Sequence, residues 1–521
     1  MPALLGIGDY ASLGPHRRVA AVDLAALAGL VVLLAFLWGR AREVLFWTDE
    51  GISVGISSHA FGSIPDLLRQ DGSPPLYYLL LNVWMSLFGS SEAATHILSL
   101  GFALATVPAA LWAGWSLFGR RAGWICASLM ALNPFLSYYA NETRMYTLVV
   151  LLGLLATATF VHAFVFRRRR YLPAFTASLT LLIYTHNWGL LFGIAAGASV
   201  LLCALLAESR LAVIRDAAPA FGGAVVAYLP WLPYLLDQMA HVGAAFAPRP
   251  TPVVARDDVL LLFGLREASV VLGLGAAMGL AALLRWPWSR AACTIVAVAL
   301  VPGVVLAAGW LLSRQESVWQ ARYLAVVVAP LALVIAVGLA RGGQVAVACL
   351  AVYALFMVPI GVKQGPTLKS GVKLVADRFG PKLQQGDLVV TDFGGVPLLS
   401  YYLPPGLRYA EALGEVADER RSNQRDGTAR QRAADPTKTL PPLVESLRIG
   451  GRVLVVCPPL ENLPIGPTEF VMLRILRCDE ALGVLLEMPG LRLVDKLKIG
   501  PPPTTFYGTV ETHLFTKLPP S

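Results

Sequence analysis

Apolar runs close to twenty residues long, separated by short polar turns, fill the first two thirds of the chain. They fall at 19–39, 93–118, 122–139, 147–166, 171–185, 187–207, 217–235, 268–286, 291–312, 323–340 and 344–362. A helix needs about 20 apolar residues to cross the hydrocarbon core, so the pattern predicts about eleven transmembrane helices. A further apolar stretch, 74–88 (PPLYYLLLNVWMSLF), is shorter, aromatic-rich and opened by two prolines. It reads as a helix lying in the membrane surface. Arginine placement favours that reading. With 74–88 flat, Arg120-Arg121, Arg167 to Arg170, Arg210 with Arg215, Arg285 with Arg290, and Arg341 all fall on one side, which the positive-inside rule makes cytoplasmic. With 74–88 spanning, the four-arginine block moves outside. His16-Arg17-Arg18 precede the first run without a cleavable signal pattern, so the first helix is expected to be retained, with a cytoplasmic N-terminus.

This topology sends a particular set of polar residues outward. The first outer loop, within 40–92, carries Asp49-Glu50 and Asp71. Later outer turns carry Asn141, Glu142 and Arg144, then His186-Asn187, then the stretch 237–267, then Arg314, Gln315, Glu316 and Arg322. An odd number of spans also puts the tail outside. The expected organisation is a transmembrane module over 1–362 and an extracytoplasmic domain over 363–521. Inside the apolar runs Asp23 and His162 lie near cytoplasmic ends. A transporter usually needs charged or broken-helix sites near mid-depth. The chemistry therefore belongs at the outer surface.

In the tail the pattern changes to short alternating elements. Residues 388–391 (LVVT) and 452–457 (RVLVVC) read as strands, as do 484–487 and 492–495, while 397–403 and 468–476 read as helices. A small α/β domain follows. The charged stretch 414–439 reads as a mobile loop. No Walker or dinucleotide glycine motif occurs, and Gly394-Gly395 alone is too weak to use.

Composition agrees. Hydrophobic residues make up 56% of the 521 and charged residues only 14%, where a soluble domain carries about 25% charged. Mean hydropathy is +0.62. The net charge of +9 sits in short arginine clusters between apolar runs, which is topogenic charge and excludes a nucleic-acid groove. Of six cysteines, Cys126, Cys203, Cys293 and Cys349 lie in apolar runs as small core residues. Cys457 and Cys478 lie in the tail and pair only if it is extracytoplasmic.

The outward residues admit two readings each. Asp49-Glu50 follow Phe46-Trp47, aromatics of the interfacial belt; they are a solvated carboxylate pair, or a general base at the membrane surface. Glu142 and Arg144 are a helix-end ion pair, or a second acid with a cation for a phosphate. His186 is a hydrogen-bonded interfacial histidine or a site residue. Arg322 snorkels, or holds a lipid phosphate with its planar fork. Taken together, carboxylates and cations at one water–lipid boundary suit an enzyme acting on a lipid phosphate.

Ordered motifs extend this. Trp47-Thr48-Asp49-Glu50, Ser73-Pro74-Pro75-Leu76-Tyr77-Tyr78, Leu87-Phe88-Gly89-Ser90-Ser91-Glu92, Leu117-Phe118-Gly119-Arg120-Arg121-Ala122-Gly123, Tyr139-Ala140-Asn141-Glu142-Thr143-Arg144-Met145-Tyr146, Tyr184-Thr185-His186 and Arg322-Tyr323-Leu324 appear in this order over roughly 40–340. The set resembles the bacterial protein O-mannosyltransferase-like glycosyltransferases, within the GT-C superfamily and close to glycosyltransferase family 39. The resemblance implies inverting transfer of a sugar from a polyprenyl-phosphate donor to a glycan, lipid or protein acceptor outside the bacterial cytoplasmic membrane. It implies Asp49 as general base, Glu50 as the adjacent acid and Glu142 as the second-loop acid, with Arg144, His186 and Arg322 holding the donor phosphate. No cofactor is required; a divalent metal near Asp49 and Glu142 is an option. One departure stands out. Related lipid A aminoarabinose transferases carry a lysine near the first-loop proline, where this chain reads Gly72-Ser73-Pro74, and such an activity is not expected here. The competing classes are a polyprenyl-lipid transporter or flippase and a non-catalytic envelope scaffold.

Overall fold

The computed structural model describes residues 20–41, 43–207, 209–243, 246–283, 290–363, 369–462, 466–499 and 510–519. His16-Arg17-Arg18 and Arg285 lie outside the described residues. The chain forms two compact units: 1–42, 96–233 and 249–365 in the first, and 43–95, 234–248 and 366–521 in the second.

The first unit is helical. Among the described residues seven helices are long and apolar enough to cross a membrane: Ala21–Gly39, Glu92–Phe118, Tyr146–Val165, Trp188–Leu205, Arg210–His241, Thr294–Gln315 and Ala321–Arg341. Pro252–Leu261 and Arg266–Ala281, bent by 78° at their junction, make an eighth if they form one span. The other expected spans are shorter or broken. The run 122–139 divides into Arg120–Ala131 and Pro134–Tyr139 because Pro134 brings no N–H to the ladder; the Asn133 side chain caps the new helix by accepting Leu136 N–H at 2.9 Å. Helix Leu172–Thr185 has only 14 residues. Small residues let these helices approach closely: a methyl placed at Gly338 would meet the Ala276 carbonyl oxygen at 2.4 Å.

One ion pair joins the first helix to a later one. Asp23, at the start of the first helix, is buried and accepts from Arg120 Nη2 at 2.6 Å and from Trp124 Nε1 at 2.9 Å. Arg120 opens its own helix. These two helix starts are therefore neighbours. The 13-residue helix Leu76–Phe88 is short for a span. It belongs to the second unit.

The second unit is built on a six-stranded sheet with the order β3-β2-β1-β4-β6-β5. The strands are β1 (Leu388–Thr391), β2 (Arg408–Glu411), β3 (Gly414–Val416), β4 (Arg452–Cys457), β5 (Leu491–Ile499) and β6 (Val510–Lys517). β1 pairs in parallel with β2 and β4; the remaining pairings are antiparallel. All four β1 residues are buried, as a central parallel strand covered on both faces requires. One face packs Phe379, Leu399 and Leu403 together with Phe46 and Val54 from the segment after the first helix. The other packs Leu440, Val444 and Leu485 around Cys457 and Cys478.

Several expectations change here. Phe46 is fully buried in this core and takes no part in an interfacial belt. The stretch 414–439 is ordered, forming β3 and the helices Gly427–Ala433 and Pro436–Glu445. It is pinned where Gln424 N–H donates to the Gln70 carbonyl at 2.8 Å and Asp426 N–H to the His241 carbonyl at 2.7 Å. Residues 484–487 continue the helix Glu469–Glu487, whose apolar positions recur at helical spacing onto the sheet.

Cys457 and Cys478 form a buried disulfide across 21 residues of sequence. A loop of that length stabilises by roughly 3 kcal/mol through the unfolded chain. Cys457→Ser with Cys478→Ser should lower the midpoint of chemical denaturation of the tail by a corresponding amount. An unchanged midpoint would show the bond to be energetically idle.

Candidate active site

In the second unit the helix Thr48–Ser57 carries the two outward carboxylates in its first turn. A carboxylate there is favoured by the helix dipole. The Glu50 carboxylate turns back to accept Trp47 N–H at 3.3 Å. It is fully buried and ion-paired with Lys369 Nζ at 3.0 Å, a lysine that is itself 5% exposed. Asp49 is half-buried, and its carbonyl accepts Ser53 Oγ at 2.8 Å. The adjacent acids thus have different surroundings, with Glu50 held inside a buried pair.

Glycine lets this helix dock. A methyl at Gly51 would lie 2.8 Å from Leu398 Cα, and one at Gly55 would lie 2.5 Å from the Arg420 carbonyl oxygen. The entry to the helix is fixed as well: Phe46 N–H donates to the Tyr402 hydroxyl at 2.8 Å, and that hydroxyl donates to Glu92 Oε1 at 2.9 Å. Burial first, then the Glu92 charge, holds the Tyr402 hydroxyl well above the usual tyrosine range, so it stays protonated as a donor. The Gly72-Ser73-Pro74 turn is held by the buried Gln238, whose Nε2 donates to the Leu68 and Ser73 carbonyls at 2.9 and 3.3 Å.

The first unit gathers a second set. Helix Pro134–Tyr139 ends in the turn 140–145, from which Tyr146–Val165 departs. Arg144 N–H donates to the Glu142 carbonyl at 2.8 Å, folding the turn on itself. Glu142 and Arg144 are both buried there. Ser99 Oγ donates to the Arg144 carbonyl at 3.3 Å and Thr147 Oγ1 to the Ser99 carbonyl at 3.0 Å, which ties the turn to helix Glu92–Phe118. The Arg144 guanidinium lies 5.9 Å from the Tyr146 ring, and Tyr146 in turn contacts the rings of Tyr139 (4.7 Å) and His186 (6.1 Å). His186 packs edge-on to Tyr323 at 4.9 Å, with the Arg322 guanidinium 5.7 Å from the same ring. The Tyr146 hydroxyl is buried with no hydrogen-bond partner, although a buried polar atom ordinarily has one.

His186 is not a cation here. Its Nδ1 accepts Trp188 N–H at 3.1 Å, which leaves the other ring nitrogen as the donor. Burial, reinforced by Arg144 and Arg322, pushes its pKa down to about 3. It enters the site as a neutral donor between two guanidinium groups, whereas its sequence context grouped it with the cations.

The structure thus brings Glu142, Arg144, His186 and Arg322 into one cluster, while Asp49 and Glu50 belong to the second unit. Lys369, Tyr146 and Tyr323 were not singled out from the sequence beforehand. Tyr146 and Tyr323 flank arginines in the motifs, but Lys369 has no local signal. Among the described residues no group of three or more His, Cys, Asp or Glu side chains is arranged to hold a metal.

No protein-family model and no curated sequence matches the chain. Solved structures do. ArnT from Cupriavidus metallidurans in the apo state is similar with a TM-score of 0.64 at 16% identity, over 94% of this chain and 98% of that one. The same enzyme bound to undecaprenyl phosphate gives 0.61 at 17% identity, over 95% and 98%. The arabinofuranosyltransferase AftD from Mycobacteria gives 0.54 at 14%, over 96% of this chain and 40% of that one. This chain shares the fold of these structures. At such identities the likeness is one of fold, shared by a multi-pass membrane protein with a C-terminal sheet domain.

Proposed function

We propose that the chain is a glycosyltransferase of the bacterial cytoplasmic membrane. It moves a sugar from a polyprenyl-phosphate donor to a glycan, lipid or protein acceptor on the outer face. The observation that carries this reading is the buried cluster of Arg144, neutral His186 and Arg322, lined by Tyr139, Tyr146 and Tyr323. Two fixed guanidiniums and a neutral donor beside aromatic rings match a phosphate on an apolar chain. The ArnT structure bound to undecaprenyl phosphate supports a lipid phosphate as the ligand class. The Cys457–Cys478 bond supports an extracytoplasmic tail, since such bonds persist in oxidising compartments.

In the transfer, the acceptor hydroxyl oxygen forms a bond to the sugar C1 as the C1–phosphate oxygen bond breaks from the opposite face, inverting the centre. The acceptor proton passes to the Asp49 carboxylate, a role assigned by the sequence resemblance. The polyprenyl phosphate leaves with one added negative charge. Arg144 and Arg322 meet charge that grows as the bond breaks, and so lower the barrier selectively. His186 donates a hydrogen bond without competing for the proton. Glu142 is buried in the same turn as Arg144, whose N–H donates to its carbonyl.

Arg322→Gln should lower kcat by about 10²–10³-fold, the usual loss when one preorganised donor to a developing oxyanion is removed. Arg322→Lys should recover only part of it, because an ammonium lacks the planar fork. The assay follows labelled polyprenyl-phosphate sugar into acceptor with full-length protein in membranes. Unimpaired transfer by Arg322→Gln would remove the cluster from the reaction. Movement of labelled lipid across liposomes without glycosylation would instead favour a carrier.

A further inference from the structure

Helices Tyr146–Val165 and Leu172–Thr185 run between two different ends. At one lie Arg144, Tyr146 and His186. The other is the turn 166–171, which holds Arg167, Arg168, Arg169 and Arg170. Between 14 and 20 residues of helix, at 1.5 Å each, set the ends roughly 20–30 Å apart. The arginine turn is therefore distinct from the cluster above.

Its arginines have different employments. The helix widens before the turn, Phe166 N–H reaching the Val161 carbonyl at 2.8 Å. Arg167 then takes a left-handed φ of 57°, a conformation that a residue with a side chain holds only where its surroundings enforce it. Arg168 is consumed internally: its Nη1 lies 3.1 Å from His162 Nδ1, while His162 Nε2 lies 2.9 Å from Ser116 Oγ. Arg167 and Arg169 both pair with the buried Asp216 of helix Arg210–Tyr228, each at 2.9 Å. Arg170 stacks on Tyr171 at 5.2 Å and is exposed. Arg215, next to Asp216, is exposed too. Among the described residues neither Arg170 nor Arg215 has an acidic partner. Asp216 is thus taken up by Arg167 and Arg169, which leaves Arg170 and Arg215 without a counter-charge among the described residues.

A groove of about 620 Å³ starts at the next residue. Leu172, Thr176 and Thr180 line one wall, and Pro219, Ala220 and Ala227 the other. Its surface is almost wholly apolar, and it follows helix 172–181 for roughly 14 Å. Thr176 Oγ1 donates to the Ala220 carbonyl at 3.0 Å, stitching the two helices beneath it. Pro219 and the small alanines leave the space that larger residues would fill.

We propose that this end of the helix pair is a binding site for an anionic phospholipid, with its phosphate between Arg170 and Arg215 and one acyl chain along the groove. Charge decides the occupant: a basic rim with unneutralised arginines meets an apolar trough, so the ligand carries an anion at the head and a hydrocarbon chain behind it. Arginine grips phosphate through paired N–H groups. A zwitterionic lipid offers the same chain without the net charge.

The test uses the full-length protein, stripped of lipid in detergent and titrated with phosphatidylglycerol or phosphatidylcholine of identical acyl chains, with bound lipid counted by native mass spectrometry. Phosphatidylglycerol should be retained at least tenfold over phosphatidylcholine. Each of Arg170→Gln and Arg215→Gln, both at exposed positions, should weaken retention about fivefold. Ala220→Leu, which fills the groove, should weaken both lipids alike. Equal retention of the two lipids, or indifference to both arginine changes, overturns the proposal. Displacement of phosphatidylglycerol by a stoichiometric polyprenyl phosphate also overturns it, giving the groove to the carrier.

Discussion

Asp49→Asn is expected to reduce transfer by roughly 10²–10⁴-fold, the contribution of a positioned general base. The change keeps the shape and removes the proton acceptor. Asp49 stands in the first turn of helix 48–57, half-buried, on a backbone held by the Ser53 hydroxyl and by the close approach at Gly51. Asparagine tolerates that position, so the variant should insert and unfold like the parent. The decisive measurement is the single-turnover rate with saturating donor, alongside the denaturation midpoint. A rate within threefold of the parent would remove Asp49 from the chemistry and return it to the status of a loop carboxylate. A lost rate with a lost fold would not count for the role, and Asp49→Ala then supplies a second comparison of rate against folded fraction.

Lys369→Met should be the most destabilising single change in the second unit. It strands the Glu50 carboxylate, which is 0% exposed, without its cation. Breaking one partner of a buried pair costs about 3–5 kcal/mol. Glu50→Gln should cost less, because a neutral amide still satisfies Trp47 N–H. The double variant Glu50→Gln with Lys369→Met should be more stable than Lys369→Met alone, the non-additivity expected of groups in contact. Strict additivity in the double-variant cycle would contradict the pair. The comparison also separates the two acids. Loss through Glu50 should follow the folded fraction, while loss through Asp49 should not.

Much of the architecture was readable because it follows from solvent. Membrane helices announce themselves by apolar length, and β1 and β4 by short runs too apolar for an exposed strand. What failed to show was whatever depends on distant partners. Phe46 looks like an interfacial aromatic beside Trp47; only the sheet beneath it, more than 300 residues on, makes it core. The polar stretch 414–439 has the composition of a mobile loop and is ordered by contacts with Gln70 and His241. Residues 484–487 alternate weakly enough to pass for a strand, and the preceding helix overrides them. At the site, residue types were legible and states were not. His186 was visible as a candidate, but its neutrality comes from burial and from Arg144 and Arg322, which no local spacing reveals. Lys369 follows the last apolar run in an unremarkable polar stretch, so nothing nearby marks it as the counter-ion of Glu50.

The 319 residues that separate Glu50 from Lys369 set a timetable for biogenesis. At about 5–20 residues per second of synthesis, the loop bearing Asp49 emerges roughly 15–60 seconds before the lysine that neutralises its neighbour exists. Phe46 and Val54 wait equally long for the sheet that buries them. During that interval the half-made chain presents an uncovered apolar segment and a lone carboxylate. A nascent chain stalled just before residue 369 therefore carries every candidate membrane helix among the described residues and still lacks the partner of Glu50.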